Sequence, residues 1–374
     1  MVQFTKRMEY MKSMADVVKN LFSTGNAPGL IPFSIGSPAS ELLSVDIVWD
    51  IASDILTWDK RGVEALQYSS LKGIADLREI VAHDLLAPKG IPASPDDIAI
   101  VCGGLETMNL ICQLFINPGD VILVEDPTFV HCVEIFDMFQ AKCIPVAMDD
   151  DGMRMDAAEA AIQQYHPKMI YTVPTFQNPT GRTLSLERRK TLAQLGSQYD
   201  VLILEDDPYR DLRYSGDELP PIKSFDTTGN TVLANSFSKI FSPGSRLGYV
   251  YATPEIISKI VDAKTATNSH TSVLAEVLCA EFFKRSYFPA HLEKVRATYK
   301  ERRDVMMQCV DQYFPAGTKR TSPDGGLFLW ADVPDAGFFV NGQGKGQTCM
   351  RLSYGNVSLE QIEKGIKILG DVLK

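Results

Sequence analysis

The residues best suited to take part in a reaction lie in the segment Ser236-Phe237-Ser238-Lys239, directly after an apolar run. A lysine that follows a buried strand loses hydration, which lowers the pKa of its amine and makes it a better nucleophile. Arg246 lies seven residues further on, in the sequence SPGSRLG. Two serine hydroxyls and a guanidinium near a glycine turn would suit an anionic phosphate group. Taken singly, the lysine could instead be a surface side chain and the arginine part of a surface ion pair.

A second candidate group is Asp206, which ends the apolar run VLILED and is followed three residues later by Tyr209. A carboxylate buried at the end of a strand needs a cationic or hydrogen-bonding partner. A protonated pyridine nitrogen would be such a partner. Capping of a helix is the alternative role for this side chain.

Most of the predicted strands are followed by glycine or by a polar side chain. Turn chemistry explains each of these residues singly but explains the whole set poorly. In an open parallel sheet, ligands bind beyond the carboxyl ends of the strands. The residues expected at that edge are Gly103, Gly104 and Leu105, then Asp126 to Phe129, Asn178 to Gly181, Asp206 to Tyr209, and Ser236 to Lys239.

Nine short segments, taken together, resemble fold-type I enzymes that use pyridoxal 5′-phosphate (PLP), of the class I/II aminotransferase family. The similarity is greatest to the subgroup that contains 2-aminoadipate-type aminotransferases and the aminotransferase-like half of certain transcription regulators. It covers nearly the whole chain, and the ordered combination of QNPTG, DDPY and SFSK with a following arginine is specific. The segments are IPFSIGSPASELL, LQYSSLKGIADLRE, CGGLETMNLI, EDPTF, QNPTG, EDDPY, SFSKIFSPGSRLGY, GGLFLW and MRLSYG.

The resemblance assigns the reactive part of the cofactor to five side chains. Lys239 would form the Schiff base with PLP and, once displaced, would move the proton between the substrate α-carbon and the cofactor. Asp206 would keep the pyridine nitrogen protonated, so that the ring can accept electrons. Asn178 and Tyr209 would hydrogen-bond the ring oxygen O3′, and Phe129 would stack on the ring where relatives more often have Tyr or Trp.

The resemblance also implies how the phosphate is held. Ser236, Ser238 and Arg246 would bind it, together with backbone N–H groups of the glycine turn that includes Gly103, Gly104 and Leu105, at the N-terminus of a helix. Relatives often have a hydroxyl residue where Leu105 stands. Tyr68 would reach the phosphate from the neighbouring subunit, which implies a homodimer with two shared active sites.

For the substrates, an amino acid and a 2-oxo acid, the resemblance implies a carboxylate site. Arg351 would bind the α-carboxylate through two parallel hydrogen bonds, assisted by Asn178 and by the backbone at Gly36. The expected reaction is transfer of an amino group from an L-amino acid to a 2-oxo acid. A PLP-dependent lyase, decarboxylase or racemase on the same scaffold is the alternative.

Functions from two other classes fit the sequence less well. A non-catalytic regulator of the related type would need a DNA-binding module, and the resemblance begins within the first ~40 residues of the chain. A serine hydrolase could use Ser236 and Lys239 as an S-x-x-K pair, but the chain contains no K-T-G motif, and Ser236 is predicted at a strand end rather than a helix start.

Apolar runs of strand length alternate with helical patterns through the middle of the chain, which is typical of βαβ units. We therefore predict an α/β fold with a mostly parallel central sheet sandwiched by helices, and a smaller α+β domain. The large PLP-binding domain is predicted over residues 45–265, and the small domain over residues 1–44 plus 266–374. The interval between GGLFLW and FFV is short compared with the family, and we interpret this as residues missing near Val333–Ala336, with a truncated small domain as the alternative.

Composition limits the possible partners and the location. The 374 residues carry a net charge of −10, which disfavours nucleic acid. Without a run of 18 apolar residues or an export signal, we expect no membrane partner and a cytoplasmic location. The seven scattered cysteines are expected to be reduced, and the five histidines lack metal-ligand spacing, so no metal site is predicted.

Overall fold

The computed structural model describes residues 29–334 and 348–374, together with Gln3, Thr5, Arg7 and Met8. Most of the N-terminal part of the predicted small domain, before residue 29, lies outside the described residues. The interval predicted to lack residues, 333–336, also extends beyond them.

The central sheet has eight strands in the order β1-β8-β7-β6-β5-β2-β3-β4. Its middle five strands, β7, β6, β5, β2 and β3, are all parallel, whereas β8 runs antiparallel to both β7 and β1. The strands are β1 (Ile98–Val101), β2 (Val121–Asp126), β3 (Lys142–Asp149), β4 (Gly152–Met153), β5 (Met169–Thr172), β6 (Leu202–Asp206), β7 (Thr231–Ser236) and β8 (Gly248–Tyr251). The mostly parallel sheet confirms the prediction, and β8 is a strand that the sequence did not reveal.

Helices cover both faces of this sheet. Tyr171 and Leu204 contribute to one apolar cluster, while their chain neighbours Ile170 and Ile203 contribute to another, because successive side chains of a strand point to opposite faces. The α-helices are α1 (Val45–Ile55), α2 (Lys60–Leu66), α3 (Ala75–Ile80), α4 (Gly104–Phe115), α5 (Val130–Met138), α6 (Met155–Tyr165), α7 (Leu186–Tyr199), α8 (Pro254–Thr265), α9 (Val273–Lys284), α10 (Tyr287–Tyr313) and α11 (Leu359–Val372). This double cover leaves every residue of β1, β5, β6 and β7 buried, which accounts for their apolar runs.

The C-terminal part forms a second, antiparallel sheet with the order β11-β10-β9. Its strands are β9 (Lys319–Arg320), β10 (Phe328–Asp332) and β11 (Cys349–Ser353). Helix α11 begins with a capping box, in which Ser358 and Gln361 each bond the other's backbone N–H. The α+β character predicted for this region is confirmed, and the division of the chain at residues 44 and 265 stays a prediction.

Candidate active site

A cavity of about 350 Å³ lies at the carboxyl edge of the parallel strands. The turns that follow parallel strands all lie at this edge of a sheet, and ligands commonly bind there. Twelve of the residues predicted for the site line it: Gly36, Gly104, Leu105, Phe129, Asn178, Asp206, Tyr209, Ser236, Ser238, Lys239, Arg246 and Arg351. Residues as distant in sequence as Gly36 and Arg351 thus share one enclosure.

Lys239 ends a short 3₁₀ turn, Phe237–Lys239, that directly follows β7. Its Nζ donates a hydrogen bond of 2.7 Å to the carbonyl of Gly36 and lies 5.9 Å from the ring centroid of Tyr209. Burial, together with the positive charges of Arg351 and Arg246, lowers the pKa of this amine to about 8. An appreciable fraction of the amine is therefore neutral, and so nucleophilic, near neutral pH.

Asp206 is the last residue of β6, and its side chain is buried. The phenol of Tyr171, on the neighbouring strand β5, donates a hydrogen bond of 2.8 Å to Oδ2. Burial raises the pKa of Asp206 to about 7. Within the described ranges no lysine or arginine forms an ion pair with this carboxylate, so a cationic ligand group in the cavity would find a ready partner.

The carboxylate-binding candidates, Arg351 and Asn178, line the same cavity. Arg351 Nη1 donates to Oδ1 of Asn178 at 2.7 Å, and Nη2 donates to the carbonyl of Ser34. The guanidinium carbon lies 4.5 Å from the ring centroid of Phe328, a stacking that fixes its plane. Asn178 Nδ2 in turn donates to the hydroxyl of Tyr209 at 3.4 Å. Burial lowers the pKa of Arg351, and the side chain stays cationic because a guanidinium ordinarily loses its proton only far above neutral pH.

The remaining polar groups converge on the N-terminus of α4. Ser236 Oγ donates to Ser238 Oγ at 2.9 Å and accepts from the backbone N–H of Ser238 at 3.2 Å. Arg246 Nη2 donates to the carbonyl of Cys102 at 3.4 Å. Gly103 adopts a φ of +77°, and a β-carbon there would lie 2.6 Å from Arg246 Nη2. Glycine is therefore required for the guanidinium to approach the first turn of the helix.

Tyr68 lies outside this cavity of its own chain. Its side chain is 86% exposed, and its ring centroid lies 5.7 Å from that of His270 in an edge-on contact. Such an exposed tyrosine is accessible to a second subunit, and its role at the phosphate stays a prediction. Gly103, which was also predicted for the site, lies against the Arg246 side chain but does not line the cavity.

Four features of the site were not predicted. They are the phenol of Tyr171, the ring of Phe328, the carbonyl of Ser34 and the imidazole of His131, which lies 5.0 Å from the ring of Phe129. Ser34 and Phe328 lie within the quoted segments IPFSIGSPASELL and GGLFLW, and His131 follows EDPTF by two residues, whereas Tyr171 lies inside an apolar run and carried no such signal. In the described part of the chain no cluster of acidic, histidine and cysteine side chains could hold a metal ion, and no helix is long and apolar enough to cross a bilayer.

The family described as aminotransferase class I and II matches residues 30–364 of the sequence. The chain belongs to this family. A curated relative, aromatic-amino-acid aminotransferase 1 of Thermococcus litoralis, is 34% identical over 96% of this chain and 92% of its own length. The comparison therefore extends over both sheets and the cavity between them.

Solved structures agree with the sequence relatives. The kynurenine aminotransferase of Pyrococcus horikoshii superposes with a TM-score of 0.90 and 32% identity, covering 99% of this chain and 96% of that one. The α-aminoadipate aminotransferase of Thermus thermophilus, complexed with N-(5′-phosphopyridoxyl)-L-leucine, gives a TM-score of 0.89 and 29% identity, covering 99% and 97%. The chain is thus a PLP-dependent aminotransferase, as the resemblance implied, and the comparisons favour transamination over the lyase, decarboxylase and racemase alternatives.

The cavity fits PLP on two observations. Asp206 is a buried carboxylate in its lining, suited to a protonated ring nitrogen, and among the described side chains its hydrogen-bond donor is a phenol. Arg246 and the two serine hydroxyls face the N-terminus of α4, where Gly103 leaves room for close approach. These two ends match the cationic and the anionic ends of the cofactor.

Proposed function

We propose that Lys239 carries the cofactor and that this cavity exchanges an amino group between an L-amino acid and a 2-oxo acid. The observation that carries the proposal is the environment of the Lys239 amine, whose pKa falls to about 8 in the cavity that also holds Asp206. When bound, PLP supplies a conjugated ring that stabilises negative charge at the substrate α-carbon. Lys239 supplies the nitrogen that anchors it and afterwards the base that accepts and returns the α-proton at Nζ.

The residues around Lys239 divide the work of holding the cofactor. Asp206 binds the ring nitrogen and keeps its proton in place. Asn178 and Tyr209, which already contact each other, orient the ring oxygen, and Phe129 covers one face of the ring. The phosphate is held by the residues that meet at the start of α4, namely Ser236, Ser238, Arg246 and the backbone of Gly103, Gly104 and Leu105.

Arg351 binds the α-carboxylate of both substrates. Its guanidinium is held by Asn178, by the Ser34 carbonyl and by the ring of Phe328, so its direction is set before a substrate arrives. Pre-organisation of this kind reduces the entropy that binding must overcome. The carbonyl of Gly36, which accepts a hydrogen bond from Lys239, borders the same space.

We also infer that two copies of the chain pair through α1, α2 and the segment that carries Tyr68. The exposed large apolar side chains of this region are Val45, Trp49, Leu56, Trp58, Val63, Leu66 and Tyr68. A concentration of exposed apolar side chains marks a protein-binding surface. Pairing would let Tyr68 reach the phosphate site of the partner. The cytoplasmic location stays a prediction.

The experiment that tests the function compares Lys239→Ala with Lys259→Ala, a change at an exposed lysine paired with Asp262. After incubation with PLP and reduction with borohydride, peptide mass spectrometry should find the label on Lys239 in the wild type and in Lys259→Ala. Lys239→Ala should show neither the label nor the visible absorbance band. A band of normal intensity in Lys239→Ala would contradict the assignment.

A single-turnover assay tests the reaction. With an amino acid and no oxo acid, the holoenzyme should release one equivalent of 2-oxo acid and convert the cofactor to its amine form. Release of carbon dioxide, or recovery of the racemised amino acid without oxo acid, would instead support one of the alternative PLP reactions.

A further inference from the structure

Lys264, near the end of α8, is completely buried and takes no part in the site described above. Its Nζ lies 3.7 Å from Oε2 of Glu106 and donates to the hydroxyl of Thr271 at 3.5 Å. That hydroxyl donates in turn to the carbonyl of Ile100, in β1. A lysine without exposure is uncommon because removing its charge from water is costly unless an acid compensates it.

Glu106 is the compensating acid, and it lies in the first turn of α4, where the helix dipole favours an acidic side chain. It is the third residue of α4, and its carboxylate folds back to accept the backbone N–H of Cys102, just before the Gly103 turn. Asn268 donates to the other oxygen, Oε1. These bonds hold the turn whose N–H groups, under the proposed function, receive the cofactor phosphate. They also bring a negative charge to the place where a second anion must bind.

We propose that Lys264 is a positioning residue for cofactor binding: its ammonium offsets the charge of Glu106, so that Glu106 can hold the turn without repelling the phosphate. The inference rests on the proposed function of the cavity. It explains why a lysine is kept in the interior, where an apolar side chain of similar volume would pack at lower cost.

The charges determine in which direction each substitution should change the dissociation constant of PLP. Lys264→Met leaves Glu106 uncompensated, so we expect the PLP dissociation constant to rise by roughly tenfold or more, since charges interact strongly in a poorly hydrated site. Glu106→Gln keeps an acceptor for the Cys102 N–H but removes the charge, and it should bind PLP at least as tightly as the wild type. The double variant should recover most of the affinity that Lys264→Met loses.

The experiment measures the dissociation constants of PLP and of pyridoxal, which lacks the phosphate, for the wild type and the three variants. Only the PLP constant should change in Lys264→Met. If Lys264→Met weakened the binding of PLP and of pyridoxal equally, Lys264 would have a structural role only and the proposal would be overturned. The same conclusion would follow if PLP binding were weakened equally in Lys264→Met and in the double variant. An unchanged PLP constant in Lys264→Met would also overturn it.

Glu106→Gln provides a second test, which stands if Lys264→Met does not fold. A tenfold loss of PLP affinity in this variant would contradict the inference, because removing a negative charge should not weaken the binding of an anion. The proposed function fails if the wild type binds no PLP or if Lys239→Ala keeps the label. If the wild type binds no PLP, the inference fails together with the proposed function. A label retained by Lys239→Ala contradicts the proposed function alone, because the PLP constants of the Lys264 and Glu106 variants can still be compared.

Discussion

The amine of Lys239 owes its reactivity to its surroundings. Burial and two neighbouring guanidinium groups each favour the neutral form, and together they lower the pKa from the ordinary 10.5 to about 8. The neutral amine attacks a carbonyl and the protonated amine does not, so the pKa sets the pH range in which the protein can take up its cofactor.

We expect the rate at which cofactor-free protein combines with PLP to rise with pH and to level off above about 8. Arg351→Gln removes one of the two charges, so the pKa of Lys239 should rise and the midpoint should move to higher pH. Arg351→Lys keeps the charge and should leave the midpoint near that of the wild type. Stopped-flow absorbance over a pH series provides the measurement. A wild-type midpoint close to the ordinary lysine pKa of 10.5 would contradict this account.

The hydroxyl of Tyr171 should contribute more to the free energy of unfolding than a tyrosine hydroxyl near the surface does. Tyr171→Phe leaves Oδ2 of Asp206 buried without its donor, a loss of about 1–3 kcal/mol in the free energy of unfolding. Tyr199→Phe is the matched control, because its hydroxyl bonds Glu159 and Gln163 near the surface. Urea unfolding of the cofactor-free variants should show the smaller loss for Tyr199→Phe. Equal losses would mean that the contact with Asp206 has no special weight.

At this scale the sequence is informative where chemistry coincides with a strand end. Lys239, Asp206 and Asn178 each follow an apolar run, and all three line the cavity. Tyr171 lies inside such a run, and its contact with Asp206 depends on the register of β5 against β6, which pairs Tyr171 with Leu204. The register of two strands cannot be read from the sequence, so the contact of a mid-strand side chain such as Tyr171 with Asp206 could not be predicted.

Among the elements, the parallel strands and their helices follow from local pattern, whereas β8 does not. The four residues GYVY begin with glycine and pair antiparallel with β1, which lies about 150 positions earlier in the chain. Pairing over such a distance is a property of the whole sheet. The capping box of α11 is the opposite case, since its serine and glutamine stand three residues apart and are visible in the sequence.

Ser358→Ala should destabilise the protein by about 1 kcal/mol, because the N-terminal turn of α11 loses its side-chain acceptor. Ser185→Ala offers a control at the corresponding position of α7, where the serine makes no capping hydrogen bond. We expect chemical denaturation to show a clear loss for the first variant and a much smaller change for the second. Identical losses would show that the box does not anchor α11.

The chain carries a net charge of −10, yet α1, α2 and the segment between them expose several large apolar side chains. Trp58 is fully exposed, and Trp49 and Leu66 are about 70% exposed on the helices beside it. A surface of this kind gains most from burial against an equal surface.

Under the proposed pairing, Trp58→Asp should convert the protein from dimer to monomer at micromolar concentration. It should also lower the transaminase activity, because the partner would no longer supply Tyr68. Val372→Asp places the same charge on an exposed apolar position of α11 and should leave the dimer intact. Sedimentation velocity of the holoenzymes distinguishes the two variants. A Trp58→Asp protein that remains dimeric would refute this assignment of the interface.

The loop that follows Lys264 touches two regions at once. Asn268 donates to Glu106, and two residues later His270 contacts the ring of Tyr68 and lies 3.5 Å from the backbone N–H of Ser69. One short loop thus joins the pairing surface to the phosphate turn. Thermodynamic linkage then requires the effect to run both ways. Saturation with PLP should tighten subunit association by the same factor by which association tightens the hold on PLP, so that dilution empties the enzyme of its cofactor as it separates the subunits.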